Sequence, residues 1–150
     1  MTSTDIEIDP ELKRVGRRFG YGVAVVVNVV MLFVTNNILE WGWLPFLTDD
    51  FAEVVPWISF SLLASIVANV VYMFDDDTVI KAGGQIAVNL ISVVVTYQIL
   101  RVFPFDFSNY DFNWGIVTRV VLILAMVGAG IGAIAEAVKL TKAAQETERR

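Results

Sequence analysis

The stretch FGYGVAVVVNVVMLFVTNNIL, Phe19 to Leu39, carries no charged side chain in about 20 residues. Three more stretches of the same kind follow: Val54 to Phe74, Ala82 to Leu100 and Ile116 to Val138. A helix of about 20 residues rises about 30 Å, the thickness of the hydrocarbon layer of a bilayer. Inside that layer a peptide group finds no water, and an α-helix satisfies its own backbone. A soluble core helix keeps one polar face, whereas these segments hold scattered amides and hydroxyls and almost no charge. The chain therefore reads as an all-α, integral-membrane four-helix bundle made of two helical hairpins. Its 150 residues form a single membrane domain, with solvated tails at 1–18 and 140–150.

Composition points the same way. Hydrophobic residues make up 56% of the chain and charged residues 18%, against about 45–50% and about 25% in soluble domains. The absence of Cys removes disulfides, thiol nucleophiles and thiolate-held metals, and the absence of His removes imidazole ligands and the commonest general base. No catalytic, cofactor-binding or metal-ligating residue is expected. A net charge of −5 argues against a nucleic-acid partner. The expected partners are the lipid bilayer and either a second copy or another membrane protein.

Orientation follows from the basic residues. Lys13, Arg14, Arg17 and Arg18 precede the first span, Lys81 lies in the second connection, and Lys139, Lys142, Arg149 and Arg150 follow the last. The first and third connections hold no Lys or Arg. By the positive-inside rule both termini are cytoplasmic in a multi-pass protein of the cell membrane. No small-residue cleavage site follows the first span, so it reads as a retained helix rather than a signal peptide.

The two outer connections resemble each other. Leu44-Pro45-Phe46 leads through Asp49, Asp50 and Phe51 to Trp57; Phe103-Pro104-Phe105 leads through Asp106, Asp111 and Phe112 to Trp114. Each proline disfavours helical geometry in the residue before it and so ends a helix. All four tryptophans (Trp41, Trp43, Trp57, Trp114) fall at this boundary, where amphipathic rings suit the headgroup layer. The repeat admits two explanations: a duplicated hairpin related by an axis along the membrane normal, or two loops solving one interface problem.

Polar residues within the spans fall in rows. Lys81, Gln85, Asn89, Ser92 and Thr96 are spaced by 4, 4, 3 and 4, hence on one helical face. Ser61, Ser65, Asn69 and Tyr72 do the same in the second span, and Asn28, Thr35 or Asn36, and Glu40 trace a looser line in the first. In the fourth, Gly128 and Gly132 form a small-residue stripe that allows close helix approach. The candidate polar interior is thus Asn28, Asn69, Gln85, Asn89, Ser92 and Thr96. On one reading Asn28, Asn69, Gln85 and Asn89 satisfy each other across helices. On the other they line a hydrated path, for which several protomers would be needed, with Gly128 and Gly132 as a protomer contact or an inward packing face.

Glu40, Arg101, Asp106 and Arg119 form a candidate outer charge cluster. A cation in lipid requires a partner, so Arg119 is expected to pair with Glu40, Asp106 or Asp111. Glu136 lies near the inner interface beside Lys139. Asp49, Asp50 and Glu53 admit a Mg²⁺ site and hence a lipid-processing enzyme, but two of them also suit the start of a helix, where negative charge meets the positive dipole end. Asp75, Asp76 and Asp77 read as a solvated turn.

The segments Pro45-Phe46-Leu47-Thr48, Val55-Pro56, Asn69-Val70-Val71-Tyr72 and Val102-Phe103-Pro104-Phe105-Asp106-Phe107, with Trp114 and Arg119, resemble a family of small four-span membrane proteins of bacteria and archaea. The likeness covers about residues 19 to 140. It implies a four-helix membrane fold and a prokaryotic cell membrane, and it carries over no activity and no catalytic residue. The function expected is that of a non-enzymatic structural or accessory component of a membrane assembly. The alternative is a homo-oligomeric channel or small-solute transporter lined by the polar rows of the second and third helices.

Overall fold

The computed structural model describes residues 9–75 and 77–148. They form four α-helices: α1 (Pro10–Trp41), α2 (Phe51–Phe74), α3 (Thr78–Val102) and α4 (Trp114–Glu148). All four are long and apolar enough to cross a membrane. Both outermost helices overrun the spans read from hydropathy. At 32 and 35 residues, α1 and α4 reach about 48 and 52 Å at about 1.5 Å per residue. Residues 13–18 and 139–148 contain no proline, so both helices continue past the hydropathy spans through their charged segments.

Local chemistry sets the boundaries. The Asp9 carboxylate accepts from Glu11 N–H at 2.9 Å ahead of Pro10, which sits at the first helical position. Asp77 caps α3 by accepting from Val79 N–H at 2.7 Å, and Asn113 caps α4 by accepting from Ile116 N–H at 3.2 Å. Asp76 lies outside the described residues. Helix α1 ends on Gly42 at φ 59°, where glycine costs nothing. Helix α3 ends on Phe103 at φ 46°, a left-handed turn that a bulky side chain rarely adopts. Proline at 104 forbids a further helical turn, and the Phe103 N–H still closes on Ile99 O at 2.8 Å.

Successive helices pack on one another: α1 on α2, α2 on α3 and α3 on α4. Among the described residues α1 and α4 make no backbone approach to each other. A two-fold exchange of the hairpins would bring α4 against α1 as α2 meets α3, so the observed packing departs from that symmetry. The bundle is an open one. Its interior is correspondingly thin: Val54, Tyr72, Ala82, Val95 and Ala133 form the buried apolar set, with Thr35 beside them.

The short turn between α2 and α3 lies with the N- and C-terminal segments at one end, here the tail end; the two long connections lie at the other, the aromatic end. There Leu47 and Phe105 form an antiparallel bridge, flanked by Thr48 N–H donating to Pro104 O at 3.1 Å and Asp106 N–H donating to Phe46 O at 2.8 Å. The two Pro-Phe segments thus stitch the hairpins together. Phe46 stacks on Phe107 with centroids 5.3 Å apart, and Trp41 lies against Trp43 at 4.6 Å. The Thr48 hydroxyl oxygen, beside this bridge, is buried and has no hydrogen-bond partner among the described residues. Removing one unsatisfied buried hydroxyl relieves about 1–3 kcal/mol. Thr48→Val is accordingly expected to raise the thermal unfolding midpoint in detergent, and a lowered midpoint would show that the hydroxyl is in use.

Candidate functional site

A concavity lined largely by polar side chains lies at the tail end, a cleft of about 620 Å³ to which every helix contributes. Helix α1 supplies Arg17 and Tyr21; α2 supplies Asn69 and Tyr72; α3 supplies Thr78, Lys81, Ala82 and Gln85; α4 supplies Glu136 and Lys139. Its volume falls in the range of about 300–1,000 Å³ usual for ligand sites.

The floor is built on Tyr72, which is 5% exposed. Its hydroxyl donates to Lys81 O at 3.2 Å, tying the end of α2 to the start of α3. Its ring meets the Tyr21 ring edge-on with centroids 5.6 Å apart, and the Lys81 ammonium lies 5.3 Å from the Tyr21 ring centre. Gly84 makes this possible, because a β-carbon there would overlap the Tyr72 hydroxyl. Lys139 Nζ donates to Glu136 Oε1 at 2.6 Å, an i,i+3 pair in which the carboxylate is the better covered partner. Asn69 and Gln85 lie about a turn deeper than Tyr72 and Lys81, so the lining grades from charge at the mouth to amide within.

The sequence-predicted residues are divided by the structure. Asn69 and Gln85 reach the cleft. Asn89 lies beyond it against α4, where a β-carbon on Gly132 would stand 2.9 Å from Asn89 Nδ2. Gly132 is therefore an inward packing residue facing α3, whereas a β-carbon on Gly128 would meet nothing within 4 Å. Mutual satisfaction of the amides across helices needs correction for two of them. Asn28 Nδ2 donates to Ala24 O at 2.7 Å and Asn69 Nδ2 to Ser65 O at 2.7 Å, each on its own helix. Ser92 and Thr96 likewise donate to Val88 O at 2.9 Å and Ser92 O at 2.8 Å. The carbonyl one turn back is already in place, so a short polar side chain reaches it without waiting for a neighbouring helix. An interhelical amide bond does form, but from Asn36, whose Nδ2 donates to Ser59 Oγ at 3.1 Å between α1 and α2.

Among the described residues no ion pair joins Glu40, Arg101, Asp106 and Arg119 to one another. The Arg119 guanidinium carbon stands 3.7 Å from the Phe103 ring centre, and no carboxylate pairs with it among the described residues. The left-handed turn at Phe103 presents that ring, a geometry hidden from any count of charges. Arg101 lines a separate cleft with Glu53, Trp57 and Gln98. Glu40 is exposed. Asp106 accepts from Ser108 N–H at 2.9 Å, which holds its carboxyl below the ordinary value of 3.8. Asp49, Asp50 and Glu53 sit at the start of α2, and no three acidic side chains among the described residues converge as a metal-holding group.

No known protein family, curated protein or solved structure matches this chain.

Two substitutions probe this geometry. Gly84→Ala is expected to push the Tyr72 ring aside and cost about 1–3 kcal/mol, while Gly83→Ala, where a β-carbon meets nothing within 4 Å, is expected to stabilise by up to about 1 kcal/mol through helix propensity. Equal effects at both sites would contradict the Tyr72 contact. Arg119→Gln is expected to cost about 0.5–1 kcal/mol as the ring contact is lost, with Asp111→Asn neutral; chemical denaturation in detergent reads both.

Proposed function

We propose that this protein is a multi-pass component of a prokaryotic cell membrane, with both termini in the cytoplasm, that works by binding rather than by covalent chemistry. The observation that carries the reading is the convergence of all four helices on the tail-end cleft. A fold that served only to fill the bilayer would have no reason to bring Arg17, Asn69, Gln85 and Lys139 to one concavity. Cations, amides and hydroxyls make a recognition surface, and a chain without His or Cys lacks the usual nucleophile and base for turnover. The basic side chains at the tail end, Lys13, Arg14, Arg17 and Arg18 on α1 above all, also fit a cytoplasmic face.

A channel or small-solute carrier is the second reading, and one feature favours it: the α3 polar row continues from Lys81 and Gln85 toward Asn89 and Ser92. Against it stands the contact of Asn89 with Gly132, which closes α3 on α4 at that level.

Reconstitution in liposomes distinguishes the two. The purified chain is expected to pass no ion or small solute above the protein-free background, and selective flux abolished by Asn89→Leu would overturn the binding reading. Topology is directly testable because the natural chain has no cysteine to give a background signal. Ser108→Cys is expected to react with an impermeant maleimide in intact cells, and Lys142→Cys only after permeabilisation. The reverse pattern would refute the orientation.

A further inference from the structure

We propose that the aromatic end carries a binding site for a quaternary ammonium compound arriving from water, held in a cavity between the two long connections. The site is separate from the tail-end cleft and does not depend on it.

The cavity measures about 430 Å³ and is lined by Phe46, Phe105, Phe107, Tyr110, Trp114 and Thr118, a volume usual for ligand sites. Phe46 comes from the first connection, Phe105, Phe107 and Tyr110 from the second, and Trp114 and Thr118 from the start of α4. The bridge between Leu47 and Phe105, with Asp106 N–H donating to Phe46 O at 2.8 Å, fixes the two connections to each other. The cavity is thus built before any ligand arrives. The Phe105 and Phe46 rings lie at 17° and 24° to Phe107, while Tyr110 stands at 68° to it. Near-parallel rings with another standing across them make a corner of π-surface. The face of an aromatic ring attracts a cation, and several rings around one cation form the usual receptor for quaternary ammonium.

The lining also selects the kind of cation. Its hydrogen-bonding side-chain groups are the hydroxyls of Tyr110 and Thr118 and the indole N–H of Trp114. A primary ammonium would bury N–H donors there with too few acceptors, which is costly. A quaternary ammonium has no N–H to leave unsatisfied. No Lys or Arg lines the cavity; Arg119 lies over Phe103, which is outside the lining. Charge favours delivery from water. The two long connections carry Asp49, Asp50, Asp106 and Asp111 and no Lys or Arg, and none of these four is in an ion pair among the described residues. Asp111 adjoins the site, because the cleft it lines shares Phe105, Phe107 and Tyr110 with the cavity. These carboxylates outnumber Arg101 and Arg119 on the helices beside them. A negative surface steers a free cation inward, whereas a zwitterionic lipid headgroup feels no net pull.

The full chain, purified in dodecyl maltoside, is titrated calorimetrically with tetramethylammonium, choline, ethanolamine and the uncharged alcohol in which carbon replaces the choline nitrogen. Tetramethylammonium and choline are expected to bind. Ethanolamine and the carbon analogue are expected to bind about tenfold more weakly, the fold-change that a desolvated cation–π contact supplies. Phe107→Leu and Tyr110→Leu are each expected to weaken choline about tenfold, and Tyr110→Phe to retain it. Trp43→Leu, which removes an exposed ring at the same end outside the cavity, is expected to change nothing. Asp111→Asn is expected to weaken choline about twofold at low salt and not at high salt; no effect at low salt would overturn the steering from water. Equal binding of the carbon analogue would overturn the cation and leave a plain apolar pocket. Equal weakening by Trp43→Leu would reduce the effect to general partitioning onto aromatic rings and overturn the site. Displacement of choline by phosphatidylcholine in mixed micelles would overturn the source in water. Saturation-transfer NMR on the wild-type chain answers the case in which a leucine variant misfolds. Irradiated ring protons are expected to pass magnetisation to the N-methyl signal of choline, and no transfer would refute the site.

Discussion

Every peptide group that enters hydrocarbon must bring its own hydrogen-bond partner, and this one requirement shapes the molecule. Once each of the four segments has closed its backbone as a helix, lipid is as good a neighbour for Val, Leu and Ile as another helix is. Little then compels the helices to wrap into a closed bundle. The thin buried set of Val54, Tyr72, Ala82, Val95 and Ala133 follows, as does the freedom of α1 and α4 to stand apart. Cohesion comes from a few close approaches: Gly84 under Tyr72, Gly132 under Asn89, and the bridge between Leu47 and Phe105.

Those approaches divide the molecule into two unlike ends. At the aromatic end the loops are paired, ringed by Phe46, Phe105 and Phe107, and held by backbone hydrogen bonds. At the tail end the connection between α2 and α3 is short and the two outer helices run on past the hydropathy spans. Paired loops at the aromatic end and outer helices that do not approach each other among the described residues leave the bundle open along α1 and α4, with the polar cleft at its tail end.

Much of this was legible before any coordinates. The prolines at 45 and 104 mark where spans stop, whereas hydropathy starts each span inside its helix and so passes over the caps at Asp9, Asp77 and Asn113. The spacing of Lys81 and Gln85 placed them on one face, and both line the cleft. The destination of each polar group was less readable. An asparagine can spend its amide on a neighbour or on the carbonyl a turn behind, and sequence spacing is the same in either case; Asn28 and Asn69 chose the second. Arg119 looked like a charge in search of a carboxylate, but the left-handed turn at Phe103 put a ring beneath it.

Hydropathy and charge placement alone determined that there are four helices and which ends share a side, because those properties are local to each segment. Which helices touch was decided only in three dimensions. Contacts between membrane helices depend on small residues meeting large ones across a gap, as Gly84 meets Tyr72, and no periodicity within one helix specifies its partner on another. The open side between α1 and α4 belongs to that second class.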